Sequence, residues 1–444
     1  MTNTAGFQSF LHSTCYGDLP ENVKAFSKRC LIDLVGVMVA GSTTELTRLI
    51  CDHAAGHFAA GNAAASIVFD GRSVSPAGAA LANGMMIDSI DAHDGYKPAK
   101  GHIGCHVLPA LLAFFQAENI DDGTEFLTCM AVGYEIGARA AVALHGSVPD
   151  YHTSGAWGAV TAAALGSRLM KLDRQKTRHA MGIGEYHGPR SQMMRCIDHP
   201  TMLKDGSGWG AMAGVSAAYL AASGFTGAPA ITVEGDDVAG YWSDLGEHWT
   251  MPKQYFKPYP VCRWAQPAAE ASLTLKRKHG FDHEDIDQIT VHSFHEATRL
   301  ATVHPKTTEE AQYSLPFPVG AALVFGQLGP AEVGGGALSD RRVLRLSEEM
   351  VLKEHDPYND AFPEQRFAHV EIRLKNGETY ISERHPARGD HEDPLSDQEI
   401  IDKYYFLTSP VIGETRAKKV HETIMNLDDG ADMGALLAVL IPPA

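Results

Sequence analysis

From Pro20 to about Leu245 the chain is written largely in alanine, glycine and leucine at helical spacing, and this limits its fold more than any other feature. Helices with small-residue faces bury them only by close approach, so the pattern calls for a bundle of tightly crossing helices. The clearest segments are Glu21 to Ala40 after Pro20, Ala77 to Ile90, Val107 to Glu118, Gly123 to Leu144, Gly155 to Leu169 and Gly208 to Ala222. Ala79, Ala80, Ala82 and Gly84 leave room for a neighbour on the second of these, and the last two are expected to cross at short distance. Glu135 and Arg139 are four apart, the spacing of an ion pair on a solvated helix face.

After about Gln254 the texture changes. Asp287 to Phe294 alternates like a strand, and Phe367 to Arg384 forms two alternating runs around Asn376-Gly377, a dipeptide suited to a tight hairpin. A helix is expected over Pro316 to Phe325, and an acidic loop over Glu348 to Glu364. Ser396 with Glu399 forms a capping box that opens a helix, and helical pattern returns through Ala417 to Met425 and Met433 to Leu440. The expected fold class is mainly α: a large all-α helical domain over 1–255 and 395–444, with a smaller α+β lid domain over 256–394.

The 444 residues are 44% hydrophobic and 20% charged with a formal net charge of -17, and no run of lysines and arginines could track a phosphate backbone, so nucleic acid is excluded as a partner. An anionic substrate would need local cations to overcome that field, which singles out Lys97, Lys100, Lys204 and Arg263. The cysteines are scattered singly, which reads as reduced thiols in a cytoplasm. The first twenty residues lack the basic and apolar regions of a signal peptide, and no continuous apolar run suggests a membrane span.

Chemistry concentrates in Asp91 to His106, where Asp91, Asp94, His93, His102, His106, Lys97 and Lys100 lie between apolar helical segments. Burying so many ionisable groups without partners is costly, so they are expected to line a pocket. Further segments set potentially reactive groups beside turn-forming residues: Tyr151 to Gly155, Met202 to Gly210, and Lys257 to Trp264. Thr153 or Ser154 can cap the helix after His152, and Lys204 precedes Gly206, Gly208 and a long helix, so a carboxylate could be held at either helix start. A rival reading is a metal-dependent hydrolase built on His93, Asp94, His102 and His106, since His102 and His106 are four apart and His93-Asp94 is the dipeptide of HD-type metal hydrolases. Cys105 and Cys262 are candidate nucleophiles.

Taken in order, these segments resemble the MmgE/PrpD family, which includes 2-methylcitrate dehydratase, cis-aconitate decarboxylase and iminodisuccinate epimerase. The resemblance spans nearly the whole chain. It rests on Asp91-x-x-Asp94 with His102 and Leu108-Pro-Ala-Leu-Leu, His152-Thr-Ser-Gly, Leu203-Lys-Asp-Gly leading to Gly210-Ala-Met-Ala-Gly, and Gly224-Phe-Thr-Gly. Lys257-Pro-Tyr-Pro-Val-Cys, Gln312-Tyr-Ser-Leu-Pro-Phe and Arg388-Gly-Asp-His-Glu-Asp-Pro-Leu-Ser complete it.

The resemblance implies a homodimer and cofactor-independent chemistry on small di- or tricarboxylates. It places catalytic positions on Asp91, His102, His152 and Lys204. Substrate-binding positions are expected among Asp94, Tyr96, Lys97, Lys100, Lys257, Cys262 and Arg263, with no metal and no cofactor. Where the family commonly reads Asp-x-Asp-Asp and then Thr or Ser, this chain reads Asp91-Ala-His93-Asp94-Gly95 and is one residue longer before His102. Cys262 stands where the decarboxylase has a histidine. Both departures point to a different carboxylate.

Dehydration, epimerisation and decarboxylation of such acids all build negative charge beside a carboxylate. Fixed cations such as Lys204 and Arg263 can neutralise it, while one of His102 and His152 removes the α-proton, the other protonates the departing hydroxyl, and Asp91 fixes a histidine tautomer. The expected activity is a lyase of the hydro-lyase type, with epimerase, isomerase or decarboxylase chemistry on the same substrates as alternatives.

Overall fold

The computed structural model describes residues 3–442, so the first two and last two residues of the expected helical domain lie outside the described residues. The molecule is mainly α, and its buried apolar side chains fall into two large cores. One is built from residues between Phe7 and Phe256 together with Leu395 to Leu440, and the other from Met193 to Ile197 together with Val261 to Leu374.

Glycine and alanine set the first core's geometry. The helices Pro76–Asp88, Gly155–Leu169 and Ser207–Ala222 meet with almost no side chain between them. A Cβ at Gly84 would lie 2.6 Å from Cα of Gly208, one at Gly214 would lie 2.5 Å from Cβ of Ala162, and one at Gly210 would strike the backbone of Gly155. The short crossing expected from composition is therefore present. Ser75 caps the first of these helices by accepting from the Gly78 amide, and Pro76 fits its first turn, where no amide donor is needed. That helix ends at Asp88 and releases the chain into the ionisable loop.

Several boundaries and roles differ from expectation. The helix expected from Val107 begins at Gly104, so His106 lies within it and His102 precedes it. The Gly123–Ser147 helix is long and apolar enough to cross a membrane, but almost all of it is buried inside the fold. Glu135 and Arg139 on that helix are buried rather than solvated. Glu135 accepts from the amides of Thr250 and Met251, while Arg139 donates to the carbonyls of Tyr241 at 2.7 Å and His248 at 2.8 Å, so the pair fastens the 241–251 segment.

In the second core the strands Ile286–Ser293, Phe367–Leu374 and Thr379–Ile381 run antiparallel, and Val351–Glu354 adds in parallel beside the first. The acidic segment expected as loop thus contains an edge strand and the helix Asp356–Ala361. Its apolar content is too low for a periodicity signal, and strand pairing decides it. The hairpin turns at Gly377, with φ of 90°, and the Leu374 amide donates to Glu378 across the loop. Ser396 and Glu399 form the expected capping box.

Candidate active site

A narrow cleft opens between the two cores. Asp91, Tyr96, Lys97, Lys100 and His102 line one side, and Lys257, Cys262, Arg263 and Arg366 another. Tyr151, Asp205, Tyr255 and Tyr313 complete much of the wall. Another groove carries Lys24, Lys28 and Arg29, but each is paired to Glu21, Asp428 or Asp397.

At the floor, the Lys257 ammonium is ion-paired to the Asp91 carboxylate, and both groups are buried. Nε2 of His102 lies 3.8 Å from the same carboxylate oxygen. Nδ1 of His102 is 2.6 Å from the carbonyl of Asp94. A carbonyl only accepts, so Nδ1 carries the proton and Nε2 of the neutral ring keeps its lone pair. Burial, then the neighbouring charges of His93 and Lys257, hold His102 well below the ordinary imidazole range. Burial alone would raise Asp91, yet Lys257, Lys204, His102 and His93 together hold it well below the usual carboxylate range. The result is a permanent anion beside an unprotonated imidazole.

Gln312 organises this floor. Its Oε1 accepts from the Asp91 amide at 2.8 Å and from the Lys204 ammonium at 2.7 Å, and its backbone carbonyl accepts from the Cys262 amide. Lys204 is buried, sits over the Tyr313 ring, and does not line the cleft. It therefore acts on Asp91 through the field and through Gln312. Arg263 is likewise engaged within the protein: it donates to the carbonyls of Ala387 and Arg388, pairs with Asp390 at 2.6 Å, and stacks on Tyr255. Lys97 pairs with Glu392 at 2.6 Å. The cations expected to meet substrate directly are thus largely matched inside the protein.

Asp94 and His152 do not line the cleft either. The carboxylate of Asp94 points into the core, where the Tyr134 hydroxyl donates to it. Burial, then the nearby Asp33 charge, push it up to about 7. His152 stacks on His145, whose Nε2 accepts the His152 amide at 3.1 Å. Ser154 makes no side-chain cap to the helix it precedes. Its hydroxyl instead bonds the Asp205 carboxylate and accepts the His102 amide at 2.9 Å, locking the imidazole loop to the 201–206 turn. Burial and the Asp88 carboxylate raise Asp205 well above the usual carboxylate range, which keeps a neutral carboxyl in the cleft wall.

The folded value of Asp94 lies above its unfolded value, so the folded state holds a proton that the unfolded chain releases. Stability is then greatest in acid and falls as pH rises from about 4 towards 7, by up to ~1.4 kcal/mol per pH unit for this one proton. Asp94→Asn is expected to remove that slope. Urea unfolding of both proteins between pH 4.5 and 7.5 checks it, and parallel stability curves would refute the assignment.

The rival metal set is dispersed. Asp94 is taken by Tyr134, and His106 packs its ring against Gly158 and Gly137 in the helix core. His93 and His102 remain in edge contact at 4.2 Å, and the potential ligand atoms of Asp91, His93 and His102 lie within 4.8 Å of one another. The Lys257 ammonium on Asp91 disfavours a cation there. Cys105 is buried in the interior, and Cys262 in the cleft wall is pushed up to about 12 by burial, so neither is a ready thiolate.

The departure at Gly95 has a structural partner. A Cβ there would strike the Tyr255 hydroxyl, and the two residues exchange backbone hydrogen bonds of 3.0 and 2.7 Å. The absence of a side chain at Gly95 leaves the space that the Tyr255 ring occupies in the cleft wall. Tyr255 and Arg366 carry no local sequence signal as wall residues, while Tyr151, Asp205, Gln312 and Tyr313 stand inside the segments singled out above without a role of their own.

Known proteins place these observations. The model of the MmgE/PrpD N-terminal domain matches residues 6–246, and that of the MmgE/PrpD C-terminal domain matches residues 259–429. The chain is 24% identical to the cis-aconitate decarboxylase of Mus musculus, over 99% of this chain and 94% of that protein. It is 23% identical to the cis-aconitate decarboxylase of Homo sapiens, over 99% and 95%, and 22% identical to a cis-aconitate decarboxylase-like protein of Aspergillus oryzae, over 95% and 94%. With both domain models matched in order across most of its length, the chain belongs to the MmgE/PrpD family.

Proposed function

We propose that the protein is a cofactor-independent lyase that removes a proton next to a carboxylate of a small di- or tricarboxylate and expels water. The observation that carries this reading is the His102 ring, with Nδ1 held on the Asp94 carbonyl and Nε2 left unprotonated in the cleft. Nε2 takes the α-proton, and the adjacent Asp91 carboxylate stabilises the imidazolium that forms. The electron pair of the broken C–H bond forms the alkene as the β-hydroxyl leaves. Asp205, kept neutral by burial and by Asp88, donates the proton that makes the leaving group water.

Decarboxylation is the second reading, favoured by the decarboxylase names of the similar proteins. Against it stands Cys262, whose thiol keeps its proton through neutrality and cannot exchange it as an imidazole would. Incubation with hydroxy-, imino- and unsaturated di- and tricarboxylates in deuterated water, followed by NMR, separates the reactions. A new alkene with water lost supports the proposal; carbon dioxide release supports decarboxylation; deuterium uptake without net reaction supports epimerisation. Activity abolished by a chelator and restored by a metal would favour the hydrolase reading instead.

We also propose pairing with a second copy. Met202, Leu203 and Trp209 stand exposed at the start of the Ser207–Ala222 helix, and Leu220 and Phe225 at its end, an apolar strip of the kind that mediates association. Light scattering should return twice the chain mass of 47.9 kDa, and a monomer would refute it.

A further inference from the structure

Arg366 differs from every other cation on the cleft wall. It is only 8% exposed and lines the cleft directly before the Phe367–Leu374 strand. Among the described residues its guanidinium makes no ion pair within 4.0 Å and no hydrogen bond, and its Nε is buried without a partner. Its guanidinium carbon lies 5.8 Å from the centre of the Phe362 ring. Its backbone is fixed, since its carbonyl accepts the Ala387 amide at 3.0 Å. A well-placed backbone therefore holds a planar five-donor group with nothing to donate to.

The surroundings sharpen the anomaly. Arg263 faces the same region but is satisfied by Asp390, Ala387 and Arg388; its charge repels Arg366, which the Asp390 carboxylate attracts only from beyond ion-pair distance. Lys257 is neutralised by Asp91 and Lys97 by Glu392. Lys100 is the other wall cation without an ion pair among the described residues, and it is exposed at the cleft edge, held by a backbone φ of 55°. The cleft thus carries unmatched positive charge in a chain whose formal net charge is -17. A guanidinium buried beside a like charge is unfavourable unless an anion completes it, and its fork matches a carboxylate through two parallel hydrogen bonds.

We infer that Arg366 is the specificity-determining clamp for a substrate carboxylate remote from the carbon that loses its proton. The inference rests on the carboxylate-lyase reading above and extends it. His102 and Asp91 act where the C–H bond breaks, while Arg366 selects acids with a further carboxylate and disfavours monoacids. A residue kept for the fold would behave differently, because removing an unpaired buried charge does not weaken the apoprotein.

The test uses the full-length protein and unreactive probes: tricarballylate as a tricarboxylate and butyrate as a monocarboxylate, with affinities measured by calorimetry or by competition. Wild type should bind tricarballylate more tightly than butyrate. Arg366→Met should weaken tricarballylate by about 10- to 100-fold, the range for a charge-assisted hydrogen-bonded pair, and leave butyrate unchanged. Arg366→Lys should recover part of the loss, since it restores charge without the fork. The apoprotein of Arg366→Met should melt at or above the wild-type temperature. Equal tricarballylate affinity in Arg366→Met and wild type would overturn the clamp while leaving the lyase reading intact. A variant that unfolds would overturn it by showing a structural role. Wild type that binds neither acid would overturn the lyase reading itself.

Discussion

His102→Ala is expected to lower kcat by roughly 10²- to 10⁴-fold on whichever carboxylate the wild type converts, the usual contribution of a positioned general base. The fold should persist, because the ring's side-chain hydrogen bond is to the Asp94 carbonyl alone and the loop is held separately by Ser154 and by the Tyr96 amide on Gly101. The pH profile is the more specific readout. Burial, then the neighbouring charges of His93 and Lys257, hold the ring well below its ordinary value of 6.5, so the acid limb of wild-type kcat/KM should fall below the range of a free imidazole. His152→Ala provides the contrast, since that ring stacks on His145 and does not line the cleft. If His102→Ala kept most of kcat while His152→Ala lost it, the base would have to be reassigned.

Lys257→Met is expected to cost about 3–5 kcal/mol of stability, because it leaves the Asp91 carboxylate buried without its ion-pair partner. Asp91→Asn together with Lys257→Met should recover most of that loss, since the double change removes both buried charges. The sign with pH follows from Asp91. Its folded value lies below the unfolded one, so its stabilisation is present above about pH 4 and is lost only as pH falls through the depressed folded value. The single variant should therefore lose its deficit in acid, where Asp91 becomes neutral. Urea denaturation of the three proteins at pH 7 and at low pH measures this. Equal stability of Lys257→Met and wild type at pH 7 would show that the ion pair contributes nothing to the fold.

The helical bundle was legible because small residues at helical spacing leave one solution, close crossing, and the Gly84, Gly208 and Gly214 contacts are that solution. The Asp91 to His106 segment was legible in part: its density of ionisable groups located the cleft, which Asp91, Lys97, Lys100 and His102 line, while His93, Asp94 and His106 are buried away from it. Which of them face substrate was not legible, because partners arrive from far along the chain. Gln312, Asp390 and Glu392 take up Lys204, Arg263 and Lys97, and nothing local to those lysines and that arginine announces it. Glu135 and Arg139 form the expected pair at 3.5 Å, but on a buried face, because their further partners lie near residue 250. Arg366 escaped notice because its distinguishing property is the lack of a partner, which only three dimensions can display.

The contact of glycine backbones beneath the cleft divides what mutation can change. Pro76–Asp88 and Ser207–Ala222 meet through Gly84 and Gly208, and their ends carry Asp88 and Asp205 into register. Interlocked main chains have no rotamers to exchange, so this half of the site resists gradual remodelling. The opposite wall, with Cys262 and Arg366, stands beside the second core on single side chains that can be altered residue by residue. Single substitutions that reshape the cleft are therefore tolerated most readily on that wall.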